Sequence, residues 1–518
     1  MAATTPSDGT RRGRVGRGCA LAAAIGLALI GGCGLAAHLY DRHWEKKVEA
    51  KLAEYRAAGQ PVTWEEVVAA RQSIPAKENS ALILLEAFKQ MAPAESDTKG
   101  ELFDAYAGTW TGGATHSEQL RSLVKAYLDA NQAALGKIGE AAVFPRGAYP
   151  LDPAEDPVCA DMDYLRALRD AVKLCRTEAV YHAEMGDDAQ GVASLVQGRR
   201  AVASIGDAHK VIEGLVRCGA GALWLEGVQR TLELCEISAD GLHAVRSEMS
   251  QEDAGLSLEP AFHGERSMGH YYLSGAGGTD ADWLSHENFG WRLSALIPGC
   301  RQKDALFYYR VLDRAAEISR LPLRQRCAAA ARLEAEVQRQ TEEHGAMYAF
   351  SAMFLPTIAG SVKEEVKAHA ALRVSRAALA VEQWRLAHGR WPDSLDELVP
   401  ELLDEVPDDP FCEEKIRYRR TEDGVVIYSV GPDGQDDEAT THAEANDPLD
   451  YAGSTESGWD IPFGLLDPEL RGARTLTFRD EVMDSELPLE ALEEAGYTKE
   501  KLRALGFSEA DIRELGWR

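Results

Sequence analysis

The apolar residues of this chain repeat at helical spacing through almost its whole middle, from His116 to Ala377, and nothing else in it restricts the fold as strongly. Leu120, Leu123, Val124 and Tyr127 share one face, and Tyr164, Leu165, Leu168, Val172 and Cys175 share another. Between Ala179 and Ile205 one helix ends at Met185-Gly186-Asp187-Asp188 and a second follows through Leu195, Val196 and Val202. Two amphipathic helices joined by a Gly-Asp turn resemble a helix-hairpin repeat of the tetratricopeptide kind. No clean period of about 34 residues is kept, so the expectation is an irregular α-helical array of helix-hairpin repeats. Arrays of this kind usually present a surface to a protein partner.

A chain of 518 residues with 45% apolar content can bury large cores and is long enough for two or three domains. Its 84 acidic side chains outnumber 56 basic ones, for a formal charge of −28. Such a surface repels phosphate backbones, which argues against nucleic acid as a partner; the acidity itself serves solubility.

The front of the chain sets an expectation about compartment. Arg11, Arg12, Arg14 and Arg17 precede an uncharged apolar run from Cys19 to Tyr40. At about 1.5 Å per helical residue this run reaches roughly 33 Å, enough to cross a bilayer. It therefore reads as a transmembrane helix, a single-pass membrane anchor. The arginines stay cytoplasmic, and the bulk after Asp41 lies on the extracytoplasmic, periplasmic side. A second reading is that Ile30-Gly31-Gly32-Cys33 loosely matches a lipoprotein cleavage site, with Cys33 lipidated. Continuation of the run through Leu35, Ala36 and Leu39 favours the retained helix. Beyond it, Asp41 to Ala58 reads as a charged helical stalk broken by Gly59-Gln60-Pro61, and Thr63-Trp64-Glu65-Glu66 as a capping box opening a new helix.

The best candidate for chemistry lies between Glu259 and Trp291, where His263, Glu265, His270, His286 and Glu287 surround the Gly-rich Ser274-Gly275-Ala276-Gly277-Gly278. Three histidines and two glutamates in a loop-rich segment can hold a transition metal or perform acid–base work. Their spacing matches neither H-E-x-x-H nor a C-x-x-C pair. The plainer alternative is that Glu265 and Arg266 form ion pairs with neighbouring helices while the histidines cap helices or face solvent. No Lys-Ser/Thr pair follows the glycines, so they form no phosphate loop, and no G-x-S-x-G or dinucleotide fingerprint occurs. Cys175, Cys218 and Cys235 fall within apolar helical stretches and read as buried thiols.

From Ala378 onward the pattern changes. A helix with Leu379, Trp384 and Leu386 on one side stops at Gly389, and Trp391-Pro392 leads into a short second helix carrying Leu395, Leu398 and Val399, with Asp393 or Ser394 as its cap. After Asp409-Pro410 the period becomes two. Ile416, Tyr418, Val426 and Tyr428 predict two strands joined through Asp423-Gly424, and the second runs into the carboxylate-rich Gly431-Pro432-Asp433-Gly434-Gln435-Asp436-Asp437. The run LAHGRWPDSLDELV, then DPF, IRYRR and YSVGPDGQDD, resembles the C-terminal globular region of type II secretion major pseudopilins, over about residues 370–465. The resemblance implies a helix, a turn and a small antiparallel sheet, and a Y-S-x-G-x-D-G loop that helps to hold calcium. Ser429, Asp433, Asp436 and Asp437 are the residues it would supply, together with nearby carbonyls. Asp460 is set apart from that loop by the insertion from Glu438 to Gly458. Asp460 to Phe463 and Thr475 to Phe478 read as edge strands, and the chain closes on a ten-residue repeat (YTKEKLRALG at Tyr497, FSEADIRELG at Phe507) ending near Trp517.

The expected fold is therefore mainly α: a transmembrane helix (19–40) behind a basic N-terminus (1–18), a stalk and first helices (41–115), an α-helical domain (116–377), a small α+β pseudopilin-like module with antiparallel strands (378–465) and a tail of short helical repeats (466–518). The expected function is a membrane-anchored, non-enzymatic interaction or scaffold protein linked to a secretion or envelope assembly. The alternative is an extracytoplasmic metal-dependent hydrolase using the His263 to Glu287 segment.

Overall fold

The computed structural model describes residues 9–71, 74–92, 106–108, 113–154, 157, 162–275, 297–439, 460–484, 492–493 and 496–516, with side chains from residue 31 onward except at 346. Helix accounts for 68%, and among the described residues the sheet has three antiparallel strands, so the chain is mainly α with a small antiparallel sheet.

The first helix, α1 (Gly9–Ala57), overturns the expectation of a transmembrane anchor and, with it, of an extracytoplasmic body held to a membrane: no helix among the described residues is long and apolar enough to cross one. A span needs about 20 consecutive apolar residues. In the part of α1 whose side chains are described, Asp41, Arg42, Glu45, Lys46, Lys47, Glu49 and Lys51 follow soon after Gly31–Tyr40. The helix is held by the protein itself. Asp41 accepts the Gly299 N–H, Lys303 sits 5.1 Å over the Tyr40 ring and 5.0 Å over the Trp44 ring, and Leu52 and Tyr55 are buried in the core.

Helix α2 (Trp64–Arg71) opens with the expected capping box: Thr63 Oγ1 accepts the Glu66 N–H at 3.3 Å and the Glu66 carboxylate accepts the Thr63 N–H at 3.4 Å. Next come α3 (Ser80–Phe88), α4 (Glu118–Ala130), α5 (Gln132–Ala141), α6 (Asp163–Glu184) and α7 (Asp188–Ala203). The α6–α7 turn is the one the sequence marks. Gly186 takes φ 74°, open to glycine without a Cβ penalty, and the Asp187 side chain accepts the Gln190 N–H at 3.1 Å. The array continues through α8 (Val211–Leu234), α9 (Ala239–Gly255), α10 (Glu259–Leu273), α11 (Cys300–Ser319), α12 (Leu323–His344) and α13 (Ala349–Phe354) to α14 (Pro356–His388).

Helix α14 is the hub. It packs against α8, α9, α11 and α12 and also against the sheet. Ala377, Ala378, Leu379, Ala380 and Val381 are consecutive and all fully buried, so the helix is surrounded on every side there. Gly389, at φ 70°, ends it.

The sheet has order β1-β2-β3, from β1 (Arg417–Arg420), β2 (Gly424–Ser429) and β3 (Ile461–Leu466). Arg417 pairs with Tyr428 and Arg420 with Val425, while Gly424 pairs with Leu466 and Ser429 with Ile461. Every residue of central β2 is buried. The segment beginning at Asp460 thus supplies an edge strand. Thr475 to Phe478 does not: it makes one isolated parallel bridge, Thr115 to Thr475.

The described residues of the tail include the short helices α15 (Phe478–Asp484), α16 (Lys499–Ala504) and α17 (Glu509–Glu514), the last two capped by Thr498 and Ser508. Phe478 stacks on Tyr497 at 4.7 Å; Trp517 lies outside the described residues. The tail is tied down by Glu481, which accepts hydrogen bonds from the Ser117 N–H and hydroxyl, with its carboxyl pushed up to about 7 by burial. One buried cluster runs from Leu52 to Ile512.

Candidate functional site

The acidic loop is built outward from a buried carboxylate. Asp409 is fully buried; its Oδ1 accepts the Ser429 hydroxyl at 2.8 Å and the Phe411 N–H at 2.9 Å, and its Oδ2 accepts the Val430 N–H at 2.9 Å. This locks the end of β2 to the Asp-Pro turn. Gly431 and Gly434 then take φ 66° and 69°, where other residues are strained, and reverse the chain. Asp433 Oδ1 accepts the Gln435 N–H at 3.1 Å, while its Oδ2 is buried without a hydrogen-bond partner. Asp436 accepts the Tyr428 hydroxyl and the Glu438 N–H through Oδ1, both at 3.1 Å, and its Oδ2 lies 3.0 Å from Arg417 Nε.

Asp460 returns to this loop in space. Its Oδ2 accepts the Ala439 N–H at 2.6 Å, the Asp437 backbone also donates to it, and its Oδ1 is buried without a partner. Burial, reinforced by the neighbouring charges of Asp436 and Asp437, holds its carboxyl above the usual range. Of the four residues named from sequence, Ser429 is turned to Asp409 and Asp436 to Arg417. Asp433 has a free oxygen, and Asp437 sits beside Asp460. Sequence reasoning missed Asp409 and set Asp460 apart. Asp409 was visible as the residue before Pro410, where the strand pattern begins. Asp460 was noted in the sequence only as a ligand that the insertion from Glu438 to Gly458 would keep away from the loop.

Calcium requires roughly six to eight oxygens at one point. Among the described residues no three His, Cys, Asp or Glu side chains are placed to hold one metal ion. Asp433 and Asp460 each carry one buried oxygen without a hydrogen-bond partner.

The second candidate segment is not a loop where it is described. His263, Glu265 and His270 all stand on α10; His286 and Glu287 lie outside the described residues. Glu265 turns towards α8 and accepts the Val211 N–H at 3.3 Å. His270 Nδ1 meets the Tyr309 hydroxyl of α11 at 2.7 Å. Burial, with Arg266 adding to it, pushes the His263 imidazole down to about 4, so it is neutral at ordinary pH. Arg266 is committed to Asp313 at 2.9 Å and Gln60 at 2.9 Å. Glu265 and His270 turn to different neighbours, and with His263 they form no metal-holding group among the described residues.

Gly264 explains why this helix reads poorly from sequence. A Cβ there would stand 1.8 Å from the His209 carbonyl oxygen, so α10 lies against backbone. Gly264→Ala is expected to cost about 1–3 kcal/mol through forced backbone movement, more than it gains in helix propensity. A chemical-denaturation midpoint equal to or above that of the parent protein would refute the contact.

Cys33, Cys175, Cys218, Cys235, Cys327 and Cys412 form no disulfide, and burial pushes Cys235 up to about 12 and Cys327 up to about 11, which leaves these two poor nucleophiles. No protein-family model matches the chain, and neither a curated protein nor a solved structure does.

Proposed function

We propose that this chain is a non-enzymatic interaction protein, a helical scaffold that holds out a pseudopilin-like α+β module, with a secretion or envelope assembly as the class of partner. The observation that carries the reading is the way the module is mounted. Its stem is the end of α14, the helix at the centre of the array. Buried Glu382 of that stem binds Arg471, just beyond β3, at 2.6 and 3.0 Å, and the Trp391 indole N–H donates to Asp467 at 2.6 Å. Such a mounting fixes a surface relative to a large body. The chemically richest helix, α10, supports the reading too, since its Glu265 and His270 are engaged in packing contacts. The order helix, glycine stop, short 3-10 turn, antiparallel hairpin and acidic Gly-Asp loop supports the pseudopilin-like assignment.

Residue-level crosslinking with mass spectrometry in native extracts tests the scaffold reading. Recurrent crosslinks from one protein to the module and to exposed array helices are expected, and a chain that crosslinks only to itself would remove it.

Calcium at the acidic loop belongs to the same proposal, with Asp433 and Asp460 as its carboxylates. At a calcium concentration tenfold above Kd the folded state gains about 1.4 kcal/mol, seen as a small upward shift in Tm. Asp433→Ala with Asp460→Asn is expected to abolish that shift. An equal shift in the double variant, or none in the parent, rules calcium out at this loop.

A further inference from the structure

The open side of β1 offers a place for another chain. Thr421 N–H donates to the Gly424 carbonyl at 2.9 Å and closes the β1–β2 hairpin, so the backbone of Thr421 faces β2. Backbone groups alternate in direction along a strand, hence Arg419 and Arg417 also face β2 while Arg420, Tyr418 and Ile416 face away. The outward Ile416 N–H is taken by the Pro407 carbonyl at 3.1 Å, next to the Asp408–Lys415 bridge. There the pairing stops. The sheet order begins at β1, so among the described residues no strand pairs with its outer side at Tyr418 and Arg420.

A groove of about 670 Å3 lies beside this edge, between the 3-10 turn Leu395–Leu398 and the segment around Val406 and Ile416. Its floor is apolar: Leu395 and Ile416 are buried and Val399, Val406 and Tyr418 are half-buried. Asp393, Asp396 and Glu405 stand at the groove: Asp393 pairs with Arg390 at 3.6 Å and Arg420 at 3.4 Å, and exposed Glu405 is 3.8 Å from the Lys415 ammonium, which pairs more closely with Asp408 at 2.7 Å. Asp396 is exposed and makes no ion pair among the described residues.

We propose that the outer edge of β1 and its adjoining groove form a docking site for an extended peptide segment of a partner protein, added as a fourth strand. The segment pairs its backbone with Tyr418 and Arg420, sets alternate apolar side chains on the groove floor and places basic side chains at Asp396 and Glu405. Main-chain pairing supplies the register, and the alternating pockets supply the selectivity. The carboxylates choose a basic segment over an acidic one. The inference rests on the interaction-protein reading and names the surface and the chemistry of its partner.

The test uses the full chain and a fluorescein-labelled heptapeptide, Lys-Val-Thr-Val-Thr-Val-Lys. Binding is read by anisotropy, and hydrogen exchange is followed across Arg417–Thr421. Saturable binding is expected, with slower exchange in that segment. N-methylation of alternate peptide amides, which keeps charge and side chains, is expected to weaken binding at least about tenfold, and so is Asp396→Lys with Glu405→Lys. The remote pair Glu342→Lys with Glu343→Lys on α12 is expected to leave it unchanged. Equal binding of the N-methylated probe, indifference to the rim reversal, protection elsewhere, or no binding at about 1 mM each overturns the proposal. A negative result here with partner crosslinks on the helices removes only the strand edge. Loss of both removes the interaction reading as well.

Discussion

Glu382→Ala is expected to lower the stability of this protein by about 3–5 kcal/mol, because it strands the buried guanidinium of Arg471 and leaves Arg385 with Glu236 as its remaining carboxylate, at 2.7 Å. Glu382 is fully buried on α14 and accepts from Arg385 at 3.0 and 2.8 Å and from Arg471 at 2.6 and 3.0 Å. Arg471 also donates to the Leu466 carbonyl at 3.0 and 2.8 Å, so the same group holds the end of β3. Burial by itself would raise the Glu382 carboxyl; hydrogen bonds from Arg385 and Arg471 outweigh it and hold the group below the usual carboxylate range. A depressed carboxyl contributes stability that is full above its unfolded value of about 4.3 and is lost as pH falls through the lower folded value. Urea unfolding at neutral pH and near pH 4 reads both effects. The parent should weaken on acidification and Glu382→Ala should weaken less. A loss under about 1 kcal/mol at neutral pH would mean that water or a shifted side chain replaces the carboxylate.

A loss of similar size, about 3–5 kcal/mol, is expected for Glu213→Ala. Glu213 has no exposed surface and joins three helices. It pairs with Arg71 of α2, accepts the Tyr164 hydroxyl of α6, and caps its own helix by accepting the His209 N–H at 2.7 Å and the Lys210 N–H at 3.2 Å. Burial opposes its charge, but Arg71 and the hydrogen bonds around it hold the carboxyl low. Removing it leaves Arg71 buried and unpaired and uncaps α8. Replacing both partners by apolar residues of similar size removes the stranded charge. Arg71→Met with Glu213→Leu is therefore expected to be more stable than Glu213→Ala in the same denaturation experiment. A double variant that is less stable would place the cost in the cap and the packing instead.

Much of the fold was legible because its signals are local. The hairpin at Asp423-Gly424, the α6–α7 turn at Gly186, the stop at Gly389 and the caps at Thr63, Thr498 and Ser508 each need only a few consecutive residues. Helix α10 was read as a loop because Gly264 and Gly269 lower helix propensity. Both glycines answer to neighbours distant in sequence, the His209 backbone and the Tyr308 ring, which a Cβ at Gly269 would approach to 2.1 Å. The apolar run near the N-terminus was visible as composition, whereas the docking of Tyr40 and Trp44 near Gly299 and Lys303 was not. In the acidic loop, Asp433, Asp436 and Asp437 are adjacent in sequence and could be named. The diversion of Asp436 to Arg417 and the return of Asp460 could not.

The sequence by itself determined the helical class, the place of the small sheet and most of the turns, since side-chain period, propensity and capping act over one or two turns of chain. Only the tertiary structure decided which buried charges meet, as Glu382 meets Arg471 and Glu213 meets Arg71. An ion pair leaves no periodic trace in sequence. Its partners are selected by the packing of whole elements, and desolvation then makes those few contacts among the costliest to break.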